Sequence, residues 1–112
     1  MNDLLLNRER ALALLAYYAP LLTPTQQKIA IAYYQCDLSL AEIAEQNGIS
    51  RAAVSEALKT SVAKMEEDDT ALQLVEKQGI LKKRIEEALK IEDISARLEA
   101  LSEIGEDIIH GI

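Results

Sequence analysis

The chain has 112 residues, enough for one compact domain or a small domain with a helical appendage, and for a real but modest core. Its aromatic residues are four tyrosines, so core volume has to come from Leu, Ile, Val and Ala, and its lone cysteine excludes an internal disulfide or a cysteine-based zinc site and points to a reducing compartment. The net charge of −7 is uneven, with six basic and six acidic side chains in residues 1–65 against six and thirteen in 66–112, so any contact with nucleic acid falls to the N-terminal half.

Taken from the start, the chain carries no basic region followed by an apolar core and a small-residue cleavage site. Its longest apolar stretch, Ala11 to Leu22, is interrupted by Pro20 and too short to span a bilayer, so a cytoplasmic protein without membrane contact is expected. Leu4, Leu5, Leu12, Leu15 and Tyr18 or Ala19 recur at helical spacing and predict a first helix from about Asp3 to Tyr18, ending before Pro20. Thr23-Pro24-Thr25-Gln26 restarts the helix: Thr23 caps, Pro24 takes the first helical position, and Gln26 completes a capping box. Ile29, Ala30, Tyr33 and Tyr34 give the second helix its apolar face. One tyrosine of each Tyr-Tyr pair is expected inward, as core or rim packing rather than as a platform for unpaired bases. Cys36 lacks a nearby histidine and reads as a small, half-buried side chain rather than a nucleophile.

The segment from Ser39 to Lys64 has the pattern of a helix-turn-helix. Ser39 and Glu42 form a capping box, Ile43 points inward, Ala44 is small where a second helix crosses, and Gly48 takes the positive φ of a sharp exit. Ile49 is expected to plug the turn and Ser50 to cap the second helix. Val54 with Ala57 or Leu58 then returns to the core, and Arg51, Ala52, Ser55, Glu56 and Lys59 form the outer face that a recognition helix presents to a major groove. Arg51 suits a guanine edge or a phosphate, and Ser50 and Ser55 can hydrogen-bond to either. The same charges are also consistent with an ordinary solvated helix surface. Arg51, Lys59 and Lys64 against Glu42, Glu45 and Glu56 leave the unit charge-balanced, a poor phosphate magnet by itself.

Beyond Met65, Glu66-Glu67-Asp68-Asp69 is expected to end or bend this helix and to favour the N-terminus of the next. The pattern is helical from Thr70 to Lys77, with Gly79 a candidate break, and from Ile80 to about Ile109. Ile91, Ile94, Leu98, Leu101 and Ile108, with Gly105 in register, make one narrow stripe at alternating three and four spacing, while Leu81, Ile85 and Leu89 make a shifted one. Either this helix folds back on the N-terminal bundle or the stripe is the interface of a homodimer, which two-fold symmetry would favour by pairing two recognition helices. The reading divides the chain into an N-terminal helical domain, 1–66, carrying the helix-turn-helix at 39–64, and an acidic C-terminal helical extension, 67–112. The fold class is all-α.

An enzyme has little to stand on. His110 lies beside Gly111 near the chain end, acidic pairs such as Asp68-Asp69 and Glu86-Glu87 diverge on a helix, no third metal ligand converges, and no Gly-rich phosphate loop is present. No cofactor or metal is expected.

The series AYYAPLLTPTQQKIAIAYYQCDLSLAEIAEQNGISRAAVSEALK, from Ala16 to Lys59, resembles the YlxM family of small bacterial helix-turn-helix proteins in order and spacing, more loosely to about Ala88. Its helix-turn-helix also resembles the promoter-reading region of sigma factors, with Ala52 and Ala53 standing where longer polar side chains would meet bases. The family resemblance implies an all-α regulator linked to the signal recognition particle pathway, a link inferred from gene neighbourhood. DNA is then the first expected partner, RNA the second, and components of the signal recognition particle a third. The competing expectation is a protein-docking module that touches no nucleic acid.

Overall fold

The computed structural model describes residues 7–111 and is built of α-helices, with no strand among the described residues. The helices are α1 (Arg8–Tyr18), α2 (Pro24–Tyr34), α3 (Leu40–Asn47), α4 (Arg51–Leu72), α5 (Leu74–Leu89) and α6 (Ile94–Ile109), with a 3₁₀ turn over Ala19–Leu21 between the first two. Two compact units result, Met1–Val75 and Glu76–Ile112.

In the first unit most starts and stops follow local chemistry. Asn7 caps α1 by accepting from the Arg10 N–H, and the expected contributions of Leu4 and Leu5 lie outside the described residues. Pro20 ends α1 in the 3₁₀ turn. Thr23 and Gln26 then close the expected capping box on α2, with Pro24 at its first position.

Helix α4 is the element on which the unit is assembled, since it packs against α1, α2 and α3. The core consists of Ala11, Leu14, Leu15 and Tyr18 from α1, Ala19 and Leu22 from the turn that follows, Ile29, Ala30 and Tyr34 from α2, Ile43 and Ala44 from α3, and Val54, Leu58, Val62 and Met65 from α4. Tyr18 and Tyr34 are buried while Tyr17 is exposed and Tyr33 half-buried, so each pair splits between core and rim as the amphipathic pattern requires.

Three expectations about the second half are corrected. The run Glu66 to Asp69 does not end α4, which continues to Leu72; Gly79 does not break α5; and the stretch from Ile80 to Ile109 is two helices rather than one. The acidic run stays helical because its charges are partnered. Arg10 on α1 reaches Glu66 (2.7 Å) and Asp69 (3.1 Å), and Lys64 reaches Asp68 (2.6 Å) one turn away. Asp69 also accepts from the Tyr18 hydroxyl (2.7 Å) and the Val75 N–H (3.3 Å), while Tyr18 accepts from the Leu74 N–H (3.1 Å). A tyrosine and an aspartate thus hold the first N–H groups of α5, at a joint where Gln73 has φ 55°.

In the second unit, α5 from Glu76 onward and α6 form a helical hairpin. The chain leaves helix at Lys90, and Asp93 caps α6 by accepting from the Ala96 N–H (2.9 Å). Arg97 donates to the Ile91 carbonyl (2.8 Å), and Arg84 on α5 pairs with Asp107 on α6 (2.9 Å). The buried side chains here are Ala88 and Ile104.

Candidate nucleic-acid interface on the helix-turn-helix

The candidate site is built by the turn between α3 and α4. Ser39 accepts from the Glu42 N–H and Glu42 accepts from the Ser39 N–H, which fixes the start of α3. The Ser39 N–H, and after it the Ser39 side chain, hold the Glu42 carboxyl below the usual carboxylate range. At the other end Gly48 has φ 64°, its N–H bonds to the Glu45 carbonyl, and the Ile49 N–H bonds back to the Ala44 carbonyl (3.0 Å). These two bonds make a Schellman closure, which only a left-handed residue permits. Ser50 then caps α4 by accepting from the Ala53 N–H (3.0 Å).

The closure fixes the rotation of α4. Val54 and Leu58 are fully buried and Ala57 is half-buried. Ser50, Arg51, Ala52, Glu56 and Lys59 are exposed, with Ser55 half-buried at the edge. The six residues assigned to the reading face by their spacing therefore lie at the N-cap and along the first turns of one helix. Ile49 differs from expectation: it is 38% exposed and extends the surface rather than plugging the turn. Cys36 is also exposed rather than half-buried, in the bend beside Asp37.

The basic side chains divide by role. Arg8 pairs with Asp37, Arg10 with Glu66 and Asp69, and Lys64 with Asp68, so three cations are held in ion pairs. Arg51 and Lys59, in contrast, are in no ion pair among the described residues, and both are exposed. A guanidinium and an ammonium two turns apart on a solvent-facing helix can meet a phosphate or a base edge without first breaking a bond within the protein.

Sequence reading missed the Arg10, Glu66, Asp69 and Tyr18 cluster, because its members are 51 to 59 residues apart. Burial raises the Asp69 carboxyl, but the bonds from Tyr18, Val75 and Arg10 together outweigh it and leave Asp69 below its ordinary value. Arg10 is raised chiefly by its bond to Glu66. The cluster is structural: it ties the far end of α4 to α1 and to α5. A cleft of about 390 Å³ lined by Arg8, Tyr33, Tyr34, Asp37, Leu38 and Ser39 has its two charged groups engaged with each other. Among the described residues no group of three or more His, Cys, Asp or Glu side chains is placed to hold a metal ion. No described helix is long and apolar enough to cross a membrane.

An all-α protein carrying a capped helix-turn-helix is the class these elements define. The sequence profile of the family described as "Putative helix-turn-helix protein, YlxM / p13 like" (UPF0122) matches residues 5–107, and the chain belongs to that family. It is 45% identical to a UPF0122 protein of Symbiobacterium thermophilum over 64 residues, 57% of this chain and 60% of the relative. A UPF0122 protein of Clostridium perfringens is 37% identical over 102 residues, 91% of this chain and 86% of the relative. The chain thus spans less than two thirds of the first relative and most of the second. No solved structure matches it.

Proposed function

We propose that this chain is a nucleic-acid-binding regulatory protein that places the first turns of α4 in the major groove of DNA, in connection with the signal recognition particle pathway. The observation carrying this reading is the pair of exposed cations, Arg51 and Lys59, on a face whose rotation is fixed by the Gly48 closure. Ser50 and Ser55 supply hydroxyls beside them, and Ala52 offers a methyl for a thymine. With charges otherwise balanced, affinity rests on few contacts rather than on a basic field.

The test is retention of pooled genomic DNA fragments and total small RNA by the purified protein across a salt series. Selective DNA retention supports the reading, and selective RNA retention moves the target to an RNA. Arg51→Ala should weaken binding by about 1 to 3 kcal/mol if it reads a base, with relaxed preference at one position. Unchanged binding would reject that role.

A second reading is favoured by Ile49, Ala52 and Ala53, which place apolar surface at the exposed turn and start of α4. On this reading the helix-turn-helix docks on a protein, with components of the signal recognition particle the first candidates. Failure to retain either nucleic acid at low salt, with capture of such a component that Ile49→Ser abolishes, would favour it over the first.

A further inference from the structure

The hairpin of the second unit is too thin to be self-sufficient. Among its described residues, 76–111, the unit forms two helices with no third layer of its own, the buried side chains are Ala88 and Ile104, and a cleft of about 300 Å³ lies between the helices, lined in part by Ile91, Ala100 and Glu103. Domains below about 40 residues rarely bury enough apolar surface to stand alone without a staple or an oligomer.

What the hairpin lacks inside, it displays outside. Ile94, Leu98, Ile108 and Ile109 on α6 are 69, 61, 51 and 76% exposed, and Ile85 and Leu89 on α5 are 36 and 57% exposed. At about 100° per residue the α6 row, with half-buried Leu101, lies to one side of Ile104, and Ile85 and Leu89 lie to the same side of Ala88. Ala88 and Ile104 point at each other's helix and the helices are antiparallel, so the two rows share one face of the hairpin. Along the α6 row, Gly105 is the one residue without an aliphatic side chain, and no charge interrupts it. Ile91 is not part of this face: it precedes the Asp93 cap and turns into the cleft, which corrects the single stripe expected from spacing.

We infer that this face is the interface of a homodimer, in which the hairpins of two copies pack face to face as a four-helix bundle. Area and chemistry argue for a second copy. The six exposed side chains present on the order of 600 Å², at the top of the 300–600 Å² usual for a monomer's largest apolar patch and approaching the roughly 800 Å² per partner of a standard specific interface. The α6 row, aliphatic and uncharged, is complementary to itself under a two-fold axis, while Gln78 and Lys82 on the α5 side of the face supply its polar rim. The acidic excess of the unit lies off this face, at Glu86, Glu99, Glu103 and Glu106.

The test is the mass of the full chain in solution without nucleic acid, which keeps its outcome separate from the binding reading. Sedimentation or light scattering up to about 100 μM should give twice the 12.4 kDa chain mass, with concentration-dependent dissociation on dilution. Leu98→Glu, which buries an unpaired carboxylate only in the dimer, should weaken association by about a hundredfold or more while leaving helical circular dichroism unchanged. Glu99→Lys, one residue away and off the face, should remain dimeric. If Leu98→Glu loses helicity, Ile94→Lys in the first turn of α6 gives the same readout. A wild-type monomer throughout the range would overturn the inference, as would a dimer indifferent to both face substitutions or one broken equally by Glu99→Lys.

Discussion

Gly48 has φ 64° and nothing within 4 Å of where a Cβ would sit, so glycine is required there by backbone conformation and not by crowding. A side chain therefore costs only the left-handed penalty. Gly48→Ala should lower stability by about 1 to 2 kcal/mol, and Gly48→Asn by less, because asparagine tolerates this region. Urea unfolding should move its midpoint at constant slope; an effect beyond about 3 kcal/mol would mean that the turn carries more than a backbone requirement. Asp69 is the other residue on which geometry depends, because it holds Tyr18, Arg10 and the Val75 N–H at once. Its folded pKa is depressed, so the stability it contributes is complete above the ordinary aspartate value of about 3.9 and is lost as pH falls through the lower folded value. Asp69→Asn should cost about 1 to 3 kcal/mol at neutral pH and flatten the fall in stability below pH 4 or so. Equal acid sensitivity in the variant would place that sensitivity elsewhere.

The elements differ in how far they depend on their neighbours in sequence. The starts of α2, α3 and α4 are set by Thr23, Ser39 and Ser50, each bonded to an N–H three residues on, and such signals are complete within four residues. They were therefore legible without the fold. Ser39→Ala should lose about 1 kcal/mol by removing the cap bond and leaving Glu42 unreciprocated, readable as a shift in thermal midpoint. The rotation of α4 was legible too, since Val54 and Leu58 face no large apolar competitor on the opposite side, where Ala52 and Ala63 are the apolar residues. What could not be read was the continuation of α4 through Glu66 to Asp69, because four carboxylates in a row repel unless partnered, and the chief partner, Arg10, is on another helix. The break before α6 was hidden for the opposite reason: Ile91 and Ile94 keep helical spacing across a turn that Asp93 caps, so the apolar pattern ran over a boundary set by one side chain. Hydrophobic period reports which face is apolar, not whether the helix beneath it is continuous.

For the whole molecule, charge and symmetry combine into a prediction about salt. The chain is acidic overall, and in the first unit the cations free on the α4 face are Arg51 and Lys59, the others near α1 and the end of α4 being held in ion pairs. A protein that neutralises few phosphates releases few counterions. With about 0.9 counterion released per phosphate contact, one copy engaging DNA through these two side chains gives a log–log salt slope of about −2, and a dimer engaging both recognition helices about −4. The wild type should follow the steeper line and Leu98→Glu the shallower, with Lys59→Ala reducing the wild-type slope by about 2, one contact per copy. This separates assembly from contact: a Leu98→Glu protein with the wild-type slope would mean that one copy suffices at the DNA, whatever its mass in solution. A slope much steeper than −4 would bring in cations beyond α4, with Lys28 on α2 the exposed candidate in the same unit.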